Sequence, residues 1–168
     1  MKKVILKLIV LILFIQPAIA KSYQISSPDK RLQLTVQVDE SIIWSATLDG
    51  NEIISKVEIG MDFSEGTDFG IINRIKKHTV QNVSAKIFPG ISHKDSEIID
   101  EYEELVLTFK DDYKINFRAY NDGVAYQFVD NGKLERNVIN EKMTLVFPEG
   151  SKSLFPQEKS MYSGNERF

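Results

Sequence analysis

After residue 20, apolar and polar residues alternate along most of the chain, which is the pattern of strands with one buried face. The most informative run surrounds Asn121-Asp122-Gly123, residue types that tolerate the left-handed backbone of short hairpin turns. Large residues alternate on both sides of this turn: Ile115, Phe117 and Ala119 before it, then Val124, Tyr126 and Phe128. We therefore predict a β-hairpin here, with left-handed residues in its turn.

An upstream strand extends this hairpin. Leu105, Leu107 and Phe109 alternate in the same way, and Asp111-Asp112 can turn the chain toward the next strand. The pattern predicts a meander of three consecutive antiparallel strands near the middle of a sheet.

Shorter alternating runs and turn residues fill the rest of the chain. Strands are predicted at residues 31–38, 42–48, 52–55 and 57–63, one or two more within 75–88, and weaker ones near 138 and at 143–147. Asp49-Gly50 is a strong hairpin signal, and no run after residue 20 has the apolar period of a long helix. Many short strands separated by turns predict an all-β, antiparallel β-sandwich. A closed barrel remains the alternative, because the pattern does not reveal how the strands close.

Residues 1–20 have the pattern of a secretory signal peptide. Lys2 and Lys3 precede an apolar run over residues 4–15, and Ala18-Ile19-Ala20 is a cleavage site of small residues. No stop-transfer segment follows, so we expect no stable membrane span after cleavage. This pattern predicts a periplasmic or secreted bacterial protein.

The mature chain, residues 21–168, is long enough for one domain. Removing the three lysines of the signal peptide leaves 18 basic and 24 acidic residues, a net charge near −6. A nucleic-acid partner is therefore not expected. The absence of cysteine excludes disulfides, thiolate catalysis and cysteine zinc sites.

Three sets of residues have the chemistry of functional sites, yet each fits a structural role better. His78 and His93 are isolated and lack the spacing of a zinc site. Six carboxylates lie between Asp95 and Glu104 without the glycine and alternation of a calcium loop, so a solvated loop leading into a strand is favoured. The aromatic residues could form a stacking platform for sugars, but their strand spacing favours core or sheet-surface positions: Trp44, Tyr102, Tyr113, Tyr120, Tyr126 and Tyr162.

Four motifs identify a family resemblance. The most specific is Phe117-Arg118-Ala119-Tyr120-Asn121-Asp122-Gly123-Val124-Ala125-Tyr126; the others are Ser27-Pro28-Asp29, Tyr102-Glu103-Glu104-Leu105-Val106-Leu107 and Phe147-Pro148-Glu149. In sequence and order they resemble the amino-terminal domain of family 97 glycoside hydrolases, exported bacterial α-glucosidases and α-galactosidases. Glu103 stands where that family usually has Asn. The resemblance covers residues 23–168, nearly the whole mature chain.

The resemblance implies a β-sandwich of the galactose-mutarotase-like, or super-sandwich, type that packs against a (β/α)8 barrel. In the family, the catalytic carboxylates lie in the barrel, and the sandwich runs longer than this chain. We therefore expect an incomplete sandwich with no catalytic residue of its own, within an enzyme whose substrates are α-glucosides or α-galactosides. A stand-alone periplasmic carbohydrate-binding module is the alternative.

The same resemblance implies one metal ligand. The family's pocket holds calcium, and the sandwich contributes a glutamate to it in a context like S-x-E-x-x-Y. Ser163-Gly164-Asn165-Glu166-Arg167-Phe168 is similar to that segment, so Glu166 is the expected calcium ligand and Glu158 the second choice. Calcium takes six to eight oxygen ligands and one glutamate supplies at most two, so we do not expect this chain alone to hold the ion tightly.

Overall fold

The computed structural model describes residues 21–71, 74–91, 96–133 and 135–152, and this part of the chain is all β. Its strands are β1 (Lys21–Ser26), β2 (Leu32–Val38), β3 (Ile42–Leu48), β4 (Asn51–Phe63), β5 (Ile75–Ile87), β6 (Ile98–Phe109), β7 (Tyr113–Ala119), β8 (Val124–Asp130) and β9 (Val138–Val146). They form two antiparallel sheets, a five-stranded one in the order β1-β2-β3-β4-β9 and a four-stranded one in the order β5-β6-β7-β8. The predicted β-sandwich is confirmed. These ranges contain no helix able to cross a membrane.

The core lies between the two sheets and is built from the alternating apolar residues. Those at most 1% exposed include Leu34, Val36, Ile42, Val57, Leu105, Leu107, Ile115 and Phe117. Burying one such side chain stabilises the fold by about 1.5–3 kcal/mol. Within the core, the ring of Tyr113 stacks between two others. Its centre is 4.3 Å from that of Phe109 and 4.2 Å from that of Phe69.

The hairpin between β3 and β4 forms as predicted. Asp49 has φ 51° and Gly50 has φ 79°, so both turn residues are left-handed, and the flanking pair is Leu48 with Asn51. This is the geometry that two-residue hairpin turns require. After it, β4 continues as one long strand where the alternation predicts two.

The hairpin between β7 and β8 also forms, but the prediction of left-handed residues in its turn is wrong. The last strand pair is Ala119 with Val124, and the Tyr120 N–H donates to the Gly123 carbonyl over 2.8 Å. None of residues 120–123 has a positive φ. The reason is length, because a four-residue connection is built around a right-handed turn.

Strands β6, β7 and β8 form the predicted meander, although β8 lies at an edge of the described sheet and not near its middle. The prediction of a solvated loop for the acidic segment is wrong from Ile98 onward, because those residues belong to β6. Its carboxylates are spaced along a strand that pairs with β5, and from Glu103 also with β7.

Strands at the sheet edges are the ones that the pattern predicts poorly. β1 is not predicted, and only Ile25 within it is buried. β5 and β9 are single strands whose residues are almost all exposed on both faces, so they show little alternation.

The inner face of β9 is uncovered. Met143 and Leu145 pair with the buried Ile59 and Val57, so they lie on the core side of the five-stranded sheet. They are nevertheless 53% and 39% exposed, because the described part of the four-stranded sheet ends at β8. One contact bridges the gap: the Tyr126 hydroxyl of β8 donates to a carboxylate oxygen of Glu141 on β9 over 2.8 Å.

Candidate functional site

Residues of three sequence motifs meet at one end of the sandwich. We call this set of residues the motif cluster. It comes from the end of β1 with the following turn, from the middle of β6, and from the end of β7 with its turn. Its members are Ser26, Asp29, Tyr102, Glu103, Glu104, Arg118, Tyr120 and Asn121. Each of them has a hydrogen bond or ring contact with another member of the set. The motifs are therefore neighbours in space, although they are distant in sequence.

Two hydrogen bonds of the motif cluster join the two sheets. The Ser26 N–H donates to Oε2 of Glu103 over 2.7 Å, and the Asp29 N–H donates to Oδ1 of Asn121 over 3.0 Å. The Glu103 bond is charge-assisted, which makes it the stronger type.

The Ser27-Pro28-Asp29 motif forms the tight turn that presents Asp29 to Asn121. The buried Ser27 hydroxyl donates to Oδ1 of Asp29, and the same carboxylate oxygen accepts the Arg31 N–H over 3.1 Å. Ser27 Oγ in turn accepts the Leu32 N–H over 3.0 Å. The hydrogen bond from Ser27, followed by that from the Arg31 backbone, lowers the pKa of Asp29 below its ordinary value.

On the outer face of the four-stranded sheet, the cluster buries two polar side chains that the strand geometry points toward solvent. Tyr102 and Glu104 are each 6% exposed. Arg118 Nε donates to Oε1 of Glu104 over 2.9 Å, and Gln81 Nε2 donates to Oε2 over 2.8 Å. The Arg118 guanidinium also lies 4.3 Å from the ring centre of Tyr102, which packs against the Tyr120 ring at 4.9 Å.

The electrostatics of this face favour a fixed ion pair. Burial lowers the pKa of Arg118, but hydrogen bonds to Tyr120 and Glu104, together with electrostatic interactions with Tyr102 and Tyr120, raise it above its ordinary value. Burial raises the pKa of Tyr102. Both oxygens of the Glu104 carboxylate accept hydrogen bonds, so this group holds β5, β6 and β7 together.

The expected calcium ligand Glu166 and the second choice Glu158 lie outside the described residues, as do His93 and Tyr162. His78 is on β5, with its ring 5.0 Å from that of Tyr23. In the described ranges, no three His, Cys, Asp or Glu residues are placed so that they could hold a metal ion.

Most of the aromatic residues weighed as a sugar platform are structural. Trp44 and Tyr113 are buried in the core and Tyr102 is buried in the motif cluster, so core or sheet positions are confirmed for these three. Tyr126 packs against the core beside Phe117.

The sequence pattern does not predict that Glu104 accepts hydrogen bonds from Arg118 and Gln81. Glu104 lies directly opposite Arg118 on β7, and Gln81 lies opposite Glu104 on β5. The alternation of β6 places Glu104 on the outer face and so could have suggested a partner on a neighbouring strand. Which residues pair with it depends on the register of β5, β6 and β7, which the sequence does not reveal.

Comparisons with known proteins show the family of this chain. The model of the glycosyl-hydrolase 97 N-terminal family matches residues 25–168. A retaining alpha-galactosidase of Bacteroides thetaiotaomicron is 30% identical over 165 residues, which are 98% of this chain and 25% of that protein. The chain thus spans about a quarter of the length of this relative.

Solved structures share the fold. A Glycoside Hydrolase Family 97 enzyme from Pseudoalteromonas in complex with panose matches 76% of this chain and 20% of its own, with a TM-score of 0.64 and 16% identity. A beta-arabinopyranosidase matches 76% of this chain and 21% of its own, with a TM-score of 0.63 and 23% identity. The match of the family model over residues 25–168 shows that the chain belongs to glycoside hydrolase family 97 and carries the family's N-terminal β-sandwich.

Proposed function

We propose that this chain is the non-catalytic N-terminal domain of a calcium-dependent glycoside hydrolase that acts on α-glucosides or α-galactosides. The observation that carries the proposal is the family match over residues 25–168, together with 30% identity to a protein named as a retaining alpha-galactosidase. The sandwich packs on the (β/α)8 barrel, which supplies the catalytic carboxylates. Its own contributions are one wall of the substrate pocket and one calcium ligand, Glu166.

The donor chemistry of the chain supports a shared calcium site. Calcium takes six to eight oxygen ligands, and the described ranges contain no group of three or more carboxylates or histidines that could hold a metal. One glutamate supplies at most two oxygens, so Glu166 needs further ligands, and in this proposal the barrel supplies them. When bound, calcium supplies Lewis-acid polarisation of an oxygen of the substrate or of the site.

The activity is tested on p-nitrophenyl α-glucoside and α-galactoside with calcium present. We expect turnover from the protein that includes the barrel and none from residues 21–168 alone. Turnover by residues 21–168 that is abolished by a substitution within this segment would refute a non-catalytic role.

The calcium ligand is tested with Glu166→Gln in the protein that includes the barrel. After chelation, calcium is titrated back while turnover is measured. We expect the half-maximal calcium concentration to rise at least about tenfold, since even residues behind the ligands of a metal site change affinity by this factor. Glu149→Gln, an exposed glutamate in the loop after β9, is the matched control and should leave the titration unchanged.

A further inference from the structure

Strand β5 leaves one long edge of the four-stranded sheet without a partner strand. It pairs with β6 on one side, and within the described part of the chain no strand pairs with its other side. With 13 residues it is the longest edge strand of the two sheets, since β1, β8 and β9 have 6, 7 and 9 residues. The backbone N–H and C=O groups along such an edge are a template for another strand.

The middle of this edge lacks the features that normally keep edge strands apart. Residues 78–85 have the sequence His-Thr-Val-Gln-Asn-Val-Ser-Ala, without lysine, arginine, carboxylate, proline or glycine. The pairing of β5 with β6 shifts only near its start, between Ile75 and Lys77, so no bulge turns the middle of the edge away. Charges, proline and bulges are the usual means of blocking strand addition. The edge strand β9, by contrast, has Glu141 and Lys142 in its middle.

The far half of β5 belongs to a ribbon of only two strands. β7 ends at Ala119, which pairs with Glu103 of β6, and Glu103 pairs with Asn82 of β5. Beyond Asn82, β5 and β6 therefore continue without β7 beside them, and two-stranded ribbons are marginally stable in water. The end of this ribbon has apolar side chains that are 38–68% exposed: Ile87, Phe88, Ile98 and Ile99. A further strand along the edge of β5 would support it.

A second copy of this chain supplies a strand that fits both halves of the edge. We propose that β5 pairs antiparallel with β5 of a second copy, across a two-fold axis at Val83. Thr79 of each copy then lies opposite Ile87 of the other copy. The ribbon half of each β5 thus pairs with the half that β6 and β7 support in the other copy, and one continuous sheet runs through the dimer.

The charges of β5 agree with this register. With the axis at Val83, Lys86 lies opposite Val80, and the lysines at the start of the strand lie beyond the end of the opposite strand. The aliphatic stem of Lys86 can cover Val80, which is 48% exposed. An axis at Gln81 would pair more residues but would set Lys76 opposite Lys86, and like charges directly opposite each other destabilise a sheet. This proposal rests on strand geometry and sequence, and it is independent of the proposed function.

The first test measures the molecular mass of the full chain, purified after export from a bacterial host, by sedimentation equilibrium. We expect a monomer–dimer equilibrium within about 1–100 µM, since one strand edge is a small interface. Val83→Lys sets two like charges opposite each other at the axis and should weaken the dimer at least about tenfold. Thr79→Lys adds the same charge opposite Ile87 and is the matched control, which should leave the dissociation constant unchanged.

Cysteine cross-linking locates the axis and does not depend on how well Val83→Lys folds. The chain has no cysteine, so single cysteines can be introduced on their own. Val83→Cys places two thiols across the axis, where opposite Cα atoms lie about 4.5–5.5 Å apart, within reach of a disulfide. Thr79→Cys should not cross-link, because the two copies of residue 79 would lie about 27 Å apart along the strands.

Three results would overturn the proposal. The first is a monomer throughout this concentration range, whether the edge stays open or another part of the protein covers it. The second is an assembly that grows beyond the dimer, because pairing across a two-fold axis uses up this edge in both copies. The third is a disulfide that forms as readily in Thr79→Cys as in Val83→Cys.

Discussion

The guanidinium of Arg118 lies 4.3 Å from the ring centre of Tyr102, while its Nε donates to Glu104. A planar guanidinium can stack on a ring and donate in its own plane at the same time, which the ammonium of lysine cannot do. The hairpin motif therefore needs an arginine at this position for architecture. Phe117 and Ala119 on either side of it face the core, so the motif serves both faces of β7.

Removing Arg118 should leave a buried carboxylate without its cationic partner. We expect Arg118→Ala to lower the free energy of unfolding by about 2–3 kcal/mol, because the Glu104 side chain is only 8% exposed. Arg118→Lys should recover part of this loss. The control is Arg31→Ala, which breaks the exposed pair with Asp49 and should have no measurable effect in urea denaturation. Equal effects of the two alanine variants would contradict this account.

Glu103 should stabilise the fold through the hydrogen bond that it accepts from the other sheet. Glu103→Ala removes the acceptor of the Ser26 N–H and is expected to lower the free energy of unfolding by about 1.5–3 kcal/mol. Glu103→Gln keeps an acceptor oxygen without the charge, so its loss should be roughly half as large. Urea denaturation of both variants checks this order, and a larger loss for glutamine than for alanine would refute it.

Gly70 should tolerate no side chain. Its φ is +89°, and an added Cβ would lie 2.8 Å from the Ile59 carbonyl oxygen, which is backbone and cannot move aside. Gly50 is the matched control, because its φ is +79° but no atom lies within 4 Å of an added Cβ. We expect Gly50→Ala to lower the free energy of unfolding, measured by urea denaturation, by the cost of left-handed backbone alone, about 1–2 kcal/mol. Gly70→Ala should lower it clearly more.

The stability of the fold should decrease in strong alkali. Burial raises the pKa of Tyr113 to about 12, although the Gly70 N–H, which donates to its hydroxyl, acts in the opposite direction. The folded state favours the neutral phenol. Its contribution to the free energy of unfolding is therefore complete below the ordinary pKa near 10 and is lost as the pH rises to about 12. Unfolding free energies measured by urea across this interval should fall less for Tyr113→Phe than for the natural chain.

The core strands could be predicted from sequence, because alternation such as Leu105, Leu107, Phe109 requires only that one face is buried. The edge strands β5 and β9 could be predicted only loosely, as one or two strands within 75–88 and weaker ones near 138 and at 143–147, since Val80 of β5 and Ile139 of β9 are apolar yet 48% and 67% exposed. The loop prediction for the acidic segment, residues 95–104, was wrong for a related reason. Glu104 resembles a solvated residue in sequence, and only the neighbouring strands that carry Arg118 and Gln81 explain its burial. The calcium ligand Glu166 stays a prediction.

The hydrogen bonds between the sheets also constrain when the fold can close. Ser26 and Glu103 are 77 residues apart, and Asp29 and Asn121 are 92 residues apart. Neither hydrogen bond can form until these distant parts of the chain meet. Until then β1 and β2 have no opposing sheet at this end, and such long-range closure makes folding slow. The first two strands of this domain thus depend on residues far along the chain for the hydrogen bonds that close this end of the sandwich.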